Sequence, residues 1–268
     1  MINLYIVCIL YNQSISNIKS LQQFIDLKNR YKQVDIVIVD NSNRELMLNN
    51  TKEYNQHYNE TINYISNNGE NLGLSKSFNK VIKTFGEFDY YMMTADDDTY
   101  FSLEYLENIM KEVIRGEYDI LSGIVKHQNG NMSPLRKFKI INNEFITEPG
   151  LYDNIFCINS GLTMRRNVIE KIGLYDERLF LDMIDYWLMY ALMKYDLNHI
   201  FIVDGKIIQD FSGGSYPGKK NLKSRYKIYK KDCLKFIHIT HTNKVRMRII
   251  LLIRWLRIQF MILKHLGE

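Results

Sequence analysis

The run Tyr90-Tyr91-Met92-Met93-Thr94-Ala95 ends in three consecutive carboxylates, Asp96-Asp97-Asp98. An apolar, aromatic run of this kind reads as a strand buried on both faces of a parallel sheet, which puts the acids at its C-terminal edge. Ligands of open α/β sheets bind at that edge. Adjacent carboxylates repel one another, so a fold keeps three together most readily around a cation. Hard oxygen donors suit Mg²⁺ or Mn²⁺, which also holds substrate phosphates. Taken alone, the triplet also reads as a solvated acidic turn capping the next helix.

The segments around this run alternate. Residues 4–10 (LYIVCIL) form a buried-strand pattern, followed by Tyr11-Asn12 and a helical face of Ile15, Ile18, Leu21, Phe24 and Ile25. Residues 35–39 (DIVIV) make a second strand, ending in Asp40-Asn41-Ser42, and residues 62–65 a short third. The Asn-rich interval 41–71 reads as polar and loop-rich. Asn71-Leu72-Gly73 opens a helix with Leu74, Phe78, Val81, Ile82 and Phe85 at helical spacing. A second helix (Leu103, Leu106, Ile109, Met110, Val113) follows the acids, then a strand over 119–125. This order predicts an α/β fold: a mostly parallel sheet with right-handed crossovers, flanked by helices.

Residues 126–153 read as irregular. Residues 155–164 (IFCINSGLTM) read as one strand carrying Asn159-Ser160-Gly161, where the glycine marks close approach of a ligand or a bulge. A short helix over 165–172 and a helix over 188–195 follow. Asp182 and Asp185, three apart, share a face if their turn is already helical; either could equally be an N-cap.

Asp40, Asn71 and Asp96 each fall at or just past a strand end, so all three converge on one sheet edge where a nucleotide fits. Asp40 can accept from a base or ribose, and Gly73 can let the chain approach phosphate near a helix N-terminus. Each is also an ordinary turn or loop residue.

The chain has 268 residues, 46% of them hydrophobic, enough for a substantial core. Cys8, Cys157 and Cys233 form no CxxC pair, which argues against a disulfide framework or zinc site and suits a reducing cytoplasm. The N-terminus enters a strand-like run with no basic leader, so no signal peptide is expected. The net charge of +5 hides a split: from Gly213 onward 14 Lys/Arg face 2 Asp/Glu, a net +12, leaving −7 elsewhere. Residues 245–266 are apolar but broken by Arg246, Arg248, Arg254, Arg257 and Lys264. A spanning helix needs about 20 predominantly apolar residues, so an interfacial helix with its basic side toward anionic lipid fits better. Arg246, Arg257 and Lys264 fall on one line of such a helix, with Arg254 near it. A helix packed on the domain or buried in a homodimer is the alternative. No nucleic-acid reading motif accompanies the charge, so no nucleic-acid partner is expected.

In this order, IVCILYN, IVDNS, NLGLSKSFN, ADDDT, NSGLTMRR and IGLYDERLFLDMIDYW resemble the family 2 glycosyltransferases of GT-A fold, from residue 4 to about 215. The nearest flavour is that of bacterial rhamnosyl- and galactofuranosyltransferases of surface polysaccharides. The resemblance implies a GT-A domain over 1–215 and a basic helical segment over 216–268. It implies that Asp40 binds the base or ribose of a nucleotide sugar, and that Asn71, Gly73 and Asn79 line the nucleotide and sugar pocket. Tyr11 and Asp97 join that nucleotide-sugar-binding set. Asp96 and Asp98 match the outer acids of a DxD motif holding Mg²⁺ or Mn²⁺, with Asp98 the direct metal contact. Gly161 lies beneath the donor sugar, and Asp185 matches the catalytic base. Relatives carry a metal-binding His on a late strand; here Gln209 stands in that place, with Asp210 beside it as a substitute donor. Trp187 stands where relatives carry an acid, and is either an apolar face for a sugar or core.

The resemblance thus implies an inverting transfer from a nucleotide-diphosphate sugar to a lipid-linked or oligosaccharide acceptor in bacterial cell-surface polysaccharide synthesis, and the basic tail adds peripheral placement on the cytoplasmic face of the cell membrane. A nucleotidyltransferase and a non-catalytic nucleotide-sugar-binding subunit are the alternatives. The absence of a Gly-rich, Lys/Arg-containing N-terminal phosphate loop counts against the first, and the missing His keeps the second open.

Overall fold

In strand β1 (Asn3–Leu10) alternate side chains enter two different cores. Tyr5, Val7 and Ile9 pack on one face of the sheet, and Leu4, Ile6, Cys8 and Leu10 on the other. The two-residue period of a strand makes this division, and burial on both sides explains the continuous apolar run. The structure, a computed structural model, describes residues 2–86, 88–127, 130–137, 143–209 and 219–264.

After β1 come α1 (Leu21–Arg30), β2 (Val34–Asp40), α2 (Arg44–His57), β3 (Asn63–Ser66), α3 (Leu74–Thr84) and β4 (Tyr90–Asp96). The short β5 (Thr99–Phe101), α4 (Leu103–Arg115) and β6 (Ile120–His127) follow the acids. Then come β7 (Gly130–Ser133), β8 (Leu135–Lys137), β9 (Glu144–Phe145), β10 (Gly150–Asp153), β11 (Thr163–Arg165) and α5 (Arg166–Lys171). The chain continues through α6 (Ile184–Lys194), β12 (His199–Gln209), α7 (Lys219–Thr240) and α8 (Lys244–Lys264).

The main sheet runs β10-β12-β6-β11-β4-β1-β2-β3, with β5 on β12 and β7 on β6. Its β4-β1-β2-β3 half is parallel, as the alternation of segments predicts. The other half is mixed: β11 runs antiparallel between β4 and β6, and β12 pairs parallel with β6. Helix α4 shows why the boundaries fall where they do. Ser102 Oγ accepts the Tyr105 N–H at 3.2 Å, and Gly116 ends the helix in the left-handed region.

Four sequence expectations change. The Asn-rich interval holds α2, whose start is capped by Asn43 Oδ1 on the Leu46 N–H. Its one fully buried residue is the polar Asn50, so it carries no apolar stripe to read. Within the stretch expected to be irregular, the described residues 130–137 and 144–153 hold four short strands in antiparallel pairings. Residues 155–164 are not one strand: Asn159–Leu162 is a turn, closed by Leu162 N–H on the Asn159 carbonyl, with Gly161 at φ +85°. Asp182 and Asp185 do not share a helical face, because Met183 between them is left-handed at φ +63°.

Trp187 is core, 7% exposed and facing Tyr175. The tail joins the same core: Tyr229, Cys233, Phe236 and Ile237 of α7 and Met247 and Leu251 of α8 are buried in the cluster that holds α6. Among the described residues no helix is long and apolar enough to cross a membrane.

Gly73, at φ +78°, starts α3 against the chain near Phe180; an added Cβ would lie 2.4 Å from the Phe180 carbonyl oxygen. Gly173 has a similar φ of +84° with nothing within 4 Å of such a Cβ. Each Gly→Ala change carries the left-handed penalty of about 1–2 kcal/mol, and only Gly73→Ala adds a clash. Urea unfolding should therefore show a clearly larger loss for Gly73→Ala than for Gly173→Ala; equal losses would contradict the packing described.

Candidate active site

The parallel register aligns the strand ends: Ile9 pairs with Asp96 and Leu10 with Asp40. The chain beyond each strand therefore emerges at one edge. Tyr11 follows β1 with its ring half exposed, and its N–H is held by Asp97 Oδ2 at 2.9 Å. Asp97 thus ties the β1 exit to the acid turn, leaving Asp96 and Asp98 on either side.

Asp96 Oδ2 accepts from Gln209 Nε2 at 3.0 Å. Burial, then Asp98, Asp185 and Asp97, push its carboxyl up to about 7. Burial also raises Asp98, helped by Asp97 and opposed by Lys19. Across from them lies the Asn159–Leu162 turn, stitched to β4 by Gly161 N–H on the Thr94 carbonyl (2.8 Å) and Thr94 N–H on the Leu162 carbonyl (2.9 Å). The Tyr105 hydroxyl donates to the Gly161 carbonyl at 2.7 Å. Gly161 thus packs over Tyr105 and Phe101, and a Cβ there would sit within 3.2 Å of both rings. Ser160 Oγ lies 3.0 Å from Thr99 Oγ1 and hydrogen-bonds the Asp96 side chain.

Asp185 lies in the first turn of α6, and its Oδ1 accepts the Asn159 N–H at 3.1 Å. Burial raises its carboxyl to about 6; the Asn159 N–H opposes this and Asp182 adds to it. The Asn159 side-chain amide is buried with neither polar atom partnered among the described residues, a state that costs about 1–3 kcal/mol. The Gln209 Oε1 is likewise buried and unpartnered.

Other expected site residues are placed differently. Asp40 is fully buried, its carboxylate taken by the Ser42 N–H, Asn50 Nδ2 and the Tyr64 hydroxyl at 2.7, 2.8 and 2.6 Å. Asn71 is exposed at the edge and accepts the Gly73 N–H at 2.9 Å. What approaches Gly73 closely is the Phe180 backbone, whose carbonyl takes the Leu74 N–H at 2.7 Å. Asn79 bridges to the Tyr175 backbone with both amide atoms, at 2.8 and 2.9 Å. Asp210 lies outside the described residues. The structure thus gathers Asp96, Asp97, Asp98, Asn159, Ser160, Gly161, Asp185 and Gln209, and sets Asp40 and Asn79 into internal networks. A shallow cavity of about 450 Å³ lined by Asp89, Arg165, Arg166 and Glu170 sits at the opposite, N-terminal end of β4, away from these groups.

The donor set fits a divalent cation. Asp96 and Asp98 are hard oxygen donors whose ionisation is opposed by burial and by neighbouring carboxylates, beside an unsatisfied amide oxygen. Among the described residues no group of three or more His, Cys, Asp or Glu is placed to hold a metal ion, so protein ligands beyond this pair of carboxylates are not gathered there.

The family model described as Glycosyl transferase family 2 matches residues 5–173. The chain belongs to glycosyl transferase family 2. The matched stretch spans β1 to the end of α5 and includes the acid turn and Gly161, but stops before Asp185. Among curated proteins none matches the chain by sequence. Solved structures establish the GT-A fold for this family 2 chain. S. aureus TarS 1-349 shares 16% identity over 97% of this chain and 72% of its own, with a TM-score of 0.56. GalNAc-T7 with UDP, GalNAc and Mn²⁺ gives a TM-score of 0.62 at 12% identity, over 81% of this chain and 44% of its own. The mannosyltransferase PcManGT from Pyrobaculum calidifontis, in complex with GDP-Man and Mn²⁺, gives 0.56 at 10%, over 88% and 64%.

Carboxyls whose folded pKa is raised stabilise the fold while protonated and lose that contribution as pH rises through the folded value. For Asp185 and Asp96 the loss therefore runs from about pH 4, the ordinary value of an unfolded aspartate, up to the folded values of about 6 and about 7. In EDTA the protein should lose thermal stability between about pH 4 and about pH 7, and Asp185→Asn should remove part of the loss. A melting temperature that is flat or rises over this interval would contradict the buried carboxylate cluster.

Proposed function

We propose that the chain is a metal-dependent inverting glycosyltransferase, moving a sugar from a nucleotide-diphosphate donor to a hydroxyl of a saccharide acceptor. The observation that carries the reading is the position of Asp185. A basic carboxylate on α6 faces the acid turn of β4 across the Asn159–Gly161 turn. The UDP, GalNAc and Mn²⁺ of the GalNAc-T7 structure, the GDP-Man and Mn²⁺ of PcManGT, and the complex of TarS 1-349 with UDP-GlcNAc support it by fold.

Asp98 and Asp96 would hold Mg²⁺ or Mn²⁺, with Gln209 orienting Asp96. The cation, when bound, neutralises charge on the departing diphosphate. The exposed Tyr11 and Asn71 border the nucleotide, and the Gly161 turn lies under the sugar. Asp185 accepts the proton of the attacking hydroxyl as the bond from the anomeric carbon to diphosphate breaks. Its raised pKa makes it a stronger base than an exposed carboxylate, and it remains mostly ionised above neutrality. A single displacement of this kind inverts the anomeric centre and needs no covalent enzyme intermediate.

The acceptor is proposed to be lipid-linked, in a cell-surface polysaccharide pathway, at the cytoplasmic face of a membrane bound peripherally. Ile249, Leu252, Leu256, Phe260 and Leu263 of α8 are exposed and share one helical stripe, opposite the buried Met247, Leu251, Ile258 and Ile262. Exposed Arg248 and Arg257 flank that stripe. Arg254 does not join them: it lies over the Tyr229 ring of α7 at 3.6 Å, so it faces the domain. Contact with lipid is therefore apolar in the middle and basic at the margins, the pattern of an interfacial helix.

A panel of nucleotide sugars, read by release of nucleoside diphosphate with an added acceptor, tests the reaction. One donor should turn over in Mn²⁺ or Mg²⁺ and none in EDTA. Asp98→Ala should be inactive, and Asp185→Asn should lower turnover by at least about 10²-fold, the low end for loss of a general base. Full activity in EDTA or in Asp185→Asn would sink the respective role.

Vesicle co-sedimentation tests the surface. The full chain should pellet with anionic vesicles, weaken in high salt, and be released by Leu252→Ser with Leu256→Ser. Equal pelleting of the double variant, or a salt-insensitive dimer in place of binding, would overturn the membrane assignment.

A further inference from the structure

Among the 14 basic residues from Gly213 onward, one acid lies inside a helix: Asp232, in the run Lys230-Lys231-Asp232. It is fully buried. Its Oδ2 accepts three consecutive backbone N–H groups, from Phe180 (3.1 Å), Leu181 (2.8 Å) and Asp182 (3.0 Å). Successive N–H groups turned toward one point make a concave cradle for an anion, and a carboxylate strengthens each bond by its charge. Lys235 Nζ lies 3.9 Å from its Oδ1, a long ion-pair distance. The site is therefore built by the backbone of the loop, not by an ordinary ion pair.

That loop has a special position. Met183 and Ile184 follow it directly, and Asp185 is three residues beyond Asp182. On its other side the Phe180 carbonyl receives the Leu74 N–H of α3 and rests against Gly73. Two further contacts from α7 hold the same loop: Arg225 pairs with Asp182, its Nη2 2.8 Å from Oδ1, and Lys235 Nζ donates to the Arg178 carbonyl. Helix α7 thus grips the loop at three points, and Asp232 supplies the buried one.

We propose that Asp232 is a positioning residue for the transfer reaction: by fixing the 180–182 backbone it sets the entry of α6 and hence the place of Asp185. The proposal rests on the reading of Asp185 as the base. It makes α7, which lies beyond the matched family region, a working part of the active site. Removing the carboxylate leaves three N–H groups without a charged acceptor in a place water does not reach, and the loop relaxes elsewhere.

The test uses the full chain and Asp232→Asn, a substitution of nearly equal shape. Residue-resolved amide exchange reads the geometry without any substrate. In the native protein the N–H groups of Phe180 to Asp182 and of Asn159, which donates to Asp185, should be protected. In Asp232→Asn they should exchange at least about tenfold faster while the Thr94 N–H, bonded within the sheet edge, is unchanged. With the donor found active in the nucleotide-sugar panel, kcat should fall at least about tenfold with KM within about threefold. A purely structural role would instead speed all amides together, Thr94 included, and that result overturns the proposal. So does unchanged Asn159 exchange with unchanged kcat. If Asp232→Asn does not fold, exchange in the native protein decides: rapid exchange at 180–182 refutes the cradle and protection upholds it. Failure of the base assignment appears separately, as an active Asp185→Asn enzyme.

Discussion

Mutual repulsion among buried carboxylates governs this molecule. Asp96, Asp97 and Asp98 leave one strand together, and Asp185 is brought toward them from a helix far along the sequence. Burial raises all four, and their charges raise Asp96 further. The surrounding groups answer that repulsion one by one. The Tyr11 N–H takes Asp97, Gln209 and Ser160 take Asp96, Lys19 acts on Asp98, and the Asn159 N–H takes Asp185. On the proposed reading, what is left over of that charge holds a divalent cation with a phosphorylated ligand. The fold supplies the edge; the unsatisfied charge gives the edge its chemistry.

Much of this was legible in the sequence where burial leaves a periodic trace. The parallel β4-β1-β2-β3 half and the helices α3 and α4 follow from apolar runs and from helical spacing, and the acid triplet marked the edge directly. The failures have physical causes. Helix α2 buries Asn50 rather than an apolar stripe, so its period was invisible. The 155–164 segment is apolar because it is buried, not because it is extended; Gly161 at a positive φ turns it beneath Phe101 and Tyr105. Asp182 and Asp185 look like a helical pair until Met183 takes a left-handed conformation, which side-chain chemistry does not announce.

Motif positions also concealed internal duties. Asp40 lies at the expected strand end, yet its oxygens serve Ser42, Asn50 and Tyr64. Asn79 lies in the expected helix, yet its amide holds the Tyr175 backbone. Spacing places a residue at an edge; the direction of its hydrogen bonds follows from partners far apart in the chain. In the sequence, the tail's charge and its Arg-broken apolar run point to an interfacial helix, with packing on the domain as the alternative. In the structure one face of α7 belongs to the core and reaches the loop ahead of Asp185, while α8 carries the apolar exposure. Asp232, the lone acid inside that basic helix, was the available sequence signal for this link.

The central claim is that the acid turn of β4 binds a divalent cation together with a nucleoside diphosphate. Titration of Mn²⁺ followed by electron paramagnetic resonance, with UDP, GDP or dTDP present in turn, tests it most directly. The account predicts that one of these diphosphates makes the native protein sequester Mn²⁺, and that Asp98→Ala abolishes this while remaining folded. Sequestration that survives in Asp98→Ala, or a native protein that takes up no Mn²⁺ with any of the three diphosphates, would contradict it.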